Sequence, residues 1–518
     1  MAAPRGESLP VFDELKRLGK HSLVYGAGIW ISGAVGFFMI PVYTRQLHPS
    51  EYGILELLNR SQQVILAIMA LGLRITVIRF YFERRDHDYR RRMAGSAMAM
   101  LLGLAALTVL VSFLVSPALS RLLFKSGAFG GLVQFMFFAC AAELTMLTPQ
   151  ALMQARTQSW FFVATRLFQF FLTIGLNLLL LVHYHMGLPG VMRATAISAA
   201  VPAALLVGVT LRREGLAFSW DVARQMLRFG LPFVPAGLLG MVMSFSDRYL
   251  LNAYASSHAL GIYSLGTKFG MLLSMVVLEP FTRIWTPFQM EVIHRENARV
   301  IFGRVLTYVL ALTVWFGLTL ALLARDVLSV VSAPAYLGAA RVVPVSCLAW
   351  VFWGASLVFD GAIYISKRTA YKPLLLGAAA VSSVILNIVL IPRVGMMGAA
   401  WATCGAYGLF AALTWVVANR LYSIPYEFGR VIKLLGAAVG LYALSTLVVG
   451  AGWPQVALRA ALALSFPLAL YVLRFYHPEE TGWLRRLRPG ARADEPARGE
   501  RSRTAPLELP EVELEETV

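Results

Sequence analysis

Arg60, Gln63, Ala67, Ala70 and Arg74 recur at spacings of three and four within a stretch otherwise rich in Leu, Ile, Val and Met. On a helix these positions share one face. An ionisable group in hydrocarbon costs about 2.5–3.5 kcal/mol on insertion scales, so such a stripe belongs on the wall of a watery cavity. Guanidinium groups there suit phosphate or pyrophosphate, which they grip through bidentate hydrogen bonds. Lys268 and Arg248 sit in comparable apolar surroundings. Glu279 falls eleven residues after Lys268, on the same expected face, and stands four before Arg283 with Pro280 between them. Arg79 and Arg283 also fit a plainer role, snorkelling to headgroups.

Four acids are expected inside apolar runs: Glu143, Asp247, Glu279 and Asp360. Each fits two roles, carrying a coupling H+ or Na+, or neutralising a cavity arginine. Asp247 and Arg248 are adjacent and are expected to point to different sides of their helix. Tyr43, Tyr52, Tyr249, Tyr263 and Trp285 fit stacking on sugar rings or an interfacial aromatic belt. Cys140, Cys347 and Cys404 lie in apolar runs without C-x-x-C spacing and read as packing residues. His183 and His185 have no acid nearby. No Walker A, G-x-G-x-x-G or metal-type pattern occurs. The expectation is therefore a protein with no metal, no cofactor beyond a coupling ion and no enzymatic centre.

The elements that position these residues follow from composition. Of 518 residues, 58% are hydrophobic and 14% charged, against about 25% charged in soluble domains. Apolar runs near the ~20 residues needed to span a bilayer begin near residues 22, 53, 93, 130, 160, 188, 226, 260, 301, 341, 371, 396, 429 and 455. The fold class is all-α, a polytopic membrane protein with fourteen transmembrane helices. Lys16, Arg17 and Lys20, the loop ERRDHDYRRR and the later even-numbered loops hold most of the Lys and Arg. By the positive-inside rule both termini are cytoplasmic. The net charge of +18 is then orientation charge, with no nucleic-acid partner implied. No cleavable signal peptide is expected, because the first apolar run continues to spanning length.

The chain also repeats itself. EYGILELLNR (51–60) aligns with LGIYSLGTK (260–268) at an offset of 208, setting Gly53 on Gly261 and Arg60 on Lys268. GLPGVMRAT (187–195) meets GMMGAAWAT (395–403) at that offset, and Asn177 meets Asn387 at 210. The offset spans six helices, so two like-oriented six-helix halves should enclose a central cavity. The expected divisions are an arm at 1–21, a first half at 22–211, a linker at 212–225, a second half at 226–419, two added helices at 429–476 and a disordered cytoplasmic tail at 477–518.

GFFMIPVYTRQLHPSEYGILELLN (36–59), FSDRYLLNAYASSHALGIYSLGTKF (245–269) and the paired glycine turns of NLLLLVHYHMGLPGVMRAT and NIVLIPRVGMMGAAWAT resemble bacterial oligosaccharide and polysaccharide flippases. These belong to the multidrug/oligosaccharidyl-lipid/polysaccharide exporter superfamily. The resemblance covers nearly the whole chain before the tail. It implies an inner-membrane flippase that moves an undecaprenyl-pyrophosphate oligosaccharide to the outer leaflet by alternating access, for O-antigen or exopolysaccharide assembly. Membrane lipids and other polysaccharide-assembly proteins are the partners it implies. Carried onto this sequence, Arg60, Arg74, Arg248 and Lys268 would hold the pyrophosphate, with Gln63 beside them. Related lipid II flippases have charged residues in the first helix; none lies between Ser22 and Thr44 here, which argues against lipid II. A multidrug cation antiporter of the same superfamily is the alternative. It calls for a cavity rich in acids and aromatics, whereas this one should be cationic on the second and eighth helices, with fewer acids than arginines. A glycan polymerase or ligase would need a large outer loop bearing acids or histidines.

Overall fold

The computed structural model describes residues 37–480, apart from positions 85, 294, 296, 449, 451, 478 and 479. All regular structure among them is helical. A short helix α1 (Ile40–Gln46) leads into the first long span, which is divided into α2 (Pro49–Met69) and α3 (Leu73–Glu83). Then come α4 (His87–Phe124), α5 (Gly130–Ala155), α6 (Ser159–Asn177) and α7 (Gly187–Glu214), completing the first lobe. The second lobe holds α8 (Trp220–Gly230), α9 (Phe233–Tyr254), α10 (Ser257–Leu273), α11 (Glu279–Val292), α12 (Ala298–Val331), α13 (Val342–Ile365), α14 (Tyr371–Val394) and α15 (Met396–Leu421). The added pair is α16 (Phe428–Thr446) and a span bent by 43° into α17 (Trp453–Leu464) and α18 (Phe466–Val472).

Twelve of the described helices are long and apolar enough to cross a membrane, or thirteen counting the bent pair. They coincide with the second to fourteenth expected spans. The chain is a multi-pass membrane protein. The first part of the expected helix from residue 22, up to position 36, lies outside the described residues, as do the N-terminal arm and most of the tail.

Local chemistry sets the boundaries. Asp86 accepts from the N–H groups of Asp88 and Tyr89 at 3.3 and 3.2 Å and starts α4, while the Ser256 hydroxyl caps α10 by accepting from Ala259 at 3.1 Å. Between α2 and α3, Leu71 and Gly72 adopt φ of +47° and +68°, a left-handed turn that no continuous helix accommodates. The stripe expected from Arg60 to Arg74 therefore breaks after Ala70. A π-helical turn at Ser274–Leu278 likewise shifts the register between Lys268 and Glu279.

The internal repeat has a structural counterpart. Gly187 and Gly395 both take positive φ, +58° and +62°, at the turns that open α7 and α15. Asn177 and Asn387 are fully buried, and each Nδ2 donates to the carbonyl four residues earlier at 2.8 Å. Where the lobes meet, α2 lies directly on α10.

The added pair is clamped to α12. Buried Arg459 donates to Asp326 at 2.6 and 2.8 Å and to the carbonyls of Val448 and Gly450 at 3.0 and 3.2 Å. The expected tail boundary also moves. His477 contacts Glu427 at 3.1 Å and Glu480 accepts from Arg430 at 2.9 Å, so positions 477 and 480 are bound to the bundle.

Candidate functional site

At the seam between the lobes lies a polar chamber of about 270 Å³ walled by α2, α9, α10, α13 and α15. Arg60, Gln63, Arg248 and Lys268 all line it, with Asp247 and Tyr263. Arg60 and Lys268, the repeat partners, converge on one carboxylate. Glu56 sits one turn before Arg60, is almost fully buried, accepts from Arg60 at 3.5 Å and closes a still shorter contact with the Lys268 ammonium. Lys268 also donates to the Tyr52 hydroxyl at 2.7 Å, and Arg60 Nη1 donates to Gln63 at 3.3 Å.

The second ion pair comes from adjacent residues. Asp247 and Arg248 do not diverge: the Arg248 side chain curls back so that Nη1 reaches both Asp247 oxygens at 2.8 Å. The gap that adjacent helix positions leave is bridged by the length of the arginine stem. Asp247 further accepts from Tyr263 and, at 3.3 Å, from Thr403, while Arg248 Nη2 donates to Thr267 at 3.2 Å. Three cations therefore face two carboxylates. The cavity expected to be cationic keeps an excess of one cation, but its charges are paired, with both acids engaged. Among the described residues, Nε of Arg60 and Nε of Arg248 are buried without a hydrogen-bond partner.

Other residues singled out from the sequence stand elsewhere. Arg74 is exposed on α3 and does not line the chamber, because the turn at Leu71–Gly72 rotates it away. Glu143 lies within the first lobe, near Arg166 and Gln62; Arg166 in turn donates to Gln150 at 2.9 Å. Asp360 pairs with Lys372 at 2.8 Å at the end of α13. Glu279 heads α11 beyond the π turn, and no ion pair joins it to Arg283 among the described residues. Tyr52, Tyr263 and Trp285 are buried. Tyr52 and Tyr263 pack and hydrogen-bond, and Trp285 packs, rather than presenting exposed rings: Tyr52 meets Tyr336 edge-on at 5.8 Å and Trp285 meets Phe302 at 5.0 Å. The three cysteines are buried and unpaired, as expected.

Glu56, Thr267 and Thr403 escaped the sequence reading. Glu56 carried one available signal, its i,i+4 spacing to Arg60. Its approach to Lys268 follows only from the docking of α2 on α10.

The structure is similar to that of the lipid II flippase MurJ in an inward closed conformation, with a TM-score of 0.67 at 13% identity over 88% of this chain and all of that one. It is also similar to an inward-facing multidrug resistance MATE family transporter, at TM-score 0.63, 14% identity and 75% and 94% coverage. A MOP superfamily transporter from Pyrococcus furiosus matches at TM-score 0.53 and 12% identity, over 77% and 95% of the two chains. At such identities these likenesses establish the fold. No curated protein matches the sequence. A family model described as polysaccharide biosynthesis protein matches residues 18–292, more than half of the chain and all of the segment carrying Arg60, Arg248 and Lys268. The chain thus belongs to the polysaccharide biosynthesis protein family and has a fold like that of MurJ and the MATE transporters.

Proposed function

We propose that the protein is a flippase that carries an undecaprenyl-pyrophosphate-linked oligosaccharide from the cytoplasmic to the outer leaflet of a bacterial inner membrane, for cell-surface polysaccharide assembly. The observation that carries this reading is a three-cation chamber at the inter-lobe seam of a chain from a polysaccharide biosynthesis family. The chamber's paired acids give the cations a resting partner. An entering pyrophosphate replaces Glu56 and Asp247 as their acceptor and takes up the unpartnered Nε donors of Arg60 and Arg248. Exchange of this kind suits a carrier, which must release what it binds. Both termini lie in the cytoplasm on this reading, and movement is by alternating access.

The multidrug-cation alternative calls for an acid free to meet the cargo. Three cations against two carboxylates leave the chamber with an excess of positive charge, and both acids are already held, which favours the anionic cargo. A coupling H+ or Na+ is part of the same proposal.

The test is a leaflet-resolved assay of lipid-linked oligosaccharide in cells lacking the protein. Build-up at the cytoplasmic face, relieved by the wild type and not by Arg248→Ala, is the expected result. Unchanged translocation in the deletion strain overturns the proposal.

A further inference from the structure

Beside the polar chamber lies a second, larger cavity of about 840 Å³, walled almost entirely by apolar side chains of α2, α4 and α9. Val115, Leu122 and Val242 on its wall are exposed, so among the described residues the slot reaches the molecular surface at α4 and α9. Its few polar wall groups already have partners: Ser61 with Tyr249 across the wall at 3.0 Å, Ser246 with Ser383 behind it at 3.2 Å, and Asn252 with the Leu123 carbonyl at 2.6 Å. Nothing in the slot calls for a polar ligand. The two cavities share a single wall residue, Phe245, whose ring carries the Arg60 guanidinium 5.0 Å from its centroid.

The geometry points to one amphipathic occupant across both cavities. We propose that the slot seats the polyisoprenyl chain of the cargo, with Phe245 as the partition between chain and pyrophosphate; this rests on the function proposed above. An acyl tail and an isoprenoid chain are equally apolar, so the slot gains little by exchanging one for the other. What selects the cargo is tethering. A headgroup held in the chamber presents its own chain to the slot at high effective concentration, an advantage that a bilayer phospholipid lacks. Phe245 makes the junction workable. Its ring receives the Arg60 cation of the chamber, and the same apolar side chain lines the slot.

The experiment uses the full-length protein in nanodiscs of phosphatidylethanolamine and phosphatidylglycerol. The probe is a polyisoprenyl pyrophosphate carrying a diazirine within its chain, and cross-links are mapped by mass spectrometry. Labelling is expected on the α4 and α9 walls, around Val115 and Val242, and unlabelled undecaprenyl pyrophosphate should displace it. Val242→Trp, a change at a surface-exposed slot position, should reduce it about tenfold, as should Arg248→Ala, which removes the tether. Leu122→Trp provides a second slot-filling variant should Val242→Trp fail to fold. Saturable, Arg248-dependent labelling on other helices overturns the slot assignment and leaves the chamber reading intact. Equal labelling of the slot by a diazirine phospholipid, undisplaced by undecaprenyl pyrophosphate, makes the slot a seat for bulk lipid and also overturns it. Absence of saturable labelling anywhere overturns the proposed cargo itself.

Discussion

Gly53 of α2 and Gly261 of α10 lie back to back where the lobes meet, and they are the same position of the internal repeat. A Cβ on Gly53 would overlap the Ser257 carbonyl, and one on Gly261 would overlap the Pro49 carbonyl. The two-fold relation read from the sequence thus passes through a backbone contact that only glycine permits. A second such contact, between Gly72 and Gly230, joins the break in the first long span to the break before α9.

The first prediction concerns that seam. Gly53→Val should force α2 off α10 at a cost of roughly 1–3 kcal/mol, the usual range for overpacking, and should lower the thermal midpoint in detergent. Gly103→Ala is the control, since nothing lies within 4 Å of its added methyl. Equal midpoints for Gly53→Val and wild type would show that the lobes do not meet here.

Glu56 and Lys268 provide the second. Glu56→Gln and Lys268→Gln should each destabilise the protein, because each leaves buried charge with less compensation. The double variant should lose less than the two single losses together, with a coupling of roughly 0.5–3 kcal/mol. Strictly additive losses in denaturant unfolding would mean that the pair is absent.

The third separates two arginines that the sequence treats alike. Arg248→Ala removes a chamber cation, and a charge-assisted contact is worth roughly 1.5–3 kcal/mol, so transport should fall about tenfold or more. Arg74→Ala, outside the chamber, should leave it within about twofold, since surface substitutions shift energies by no more than ~0.5 kcal/mol. A larger effect of Arg74→Ala in the leaflet assay would place the site elsewhere.

The fourth concerns pH. Burial works against charge on Glu427 and Glu480, yet hydrogen bonds outweigh it: His477, Thr307 and Arg430 hold the Glu427 carboxyl below its usual range, and Tyr308, the His477 N–H and Arg430 do so for Glu480. A carboxylate with a lowered folded-state pKa contributes stability above its unfolded value, and loses it as pH falls through the folded one. The thermal midpoint should therefore drop as pH falls below the ordinary glutamate value of 4.5. Glu427→Gln should lower the midpoint at neutral pH and shrink the acid-induced drop. An undiminished drop in that variant would exclude the carboxyl as its source.

Where the spans lie was legible in the chain, because hydrocarbon imposes a length and a composition that each helix must meet by itself. The repeat was legible too, since Gly53 and Gly261 answer one geometric demand, as do Gly187 and Gly395. Continuity of the Arg60–Arg74 face was not: one left-handed turn at Leu71–Gly72 redirects everything beyond it. Nor was the pairing of the chamber cations. Glu56 reads as an ordinary acid near a helix start until α10 brings Lys268 against it.

By itself, then, the sequence determined the class of protein, its helices, its two-fold plan and three of the cations at its centre, all properties of single segments facing a fixed solvent. Tertiary structure decided which carboxylates answer those cations, which arginine is left outside and where an apolar slot adjoins the polar chamber. Those depend on side chains far apart in the chain meeting within a few ångströms, a distance that only the packing of helix on helix sets.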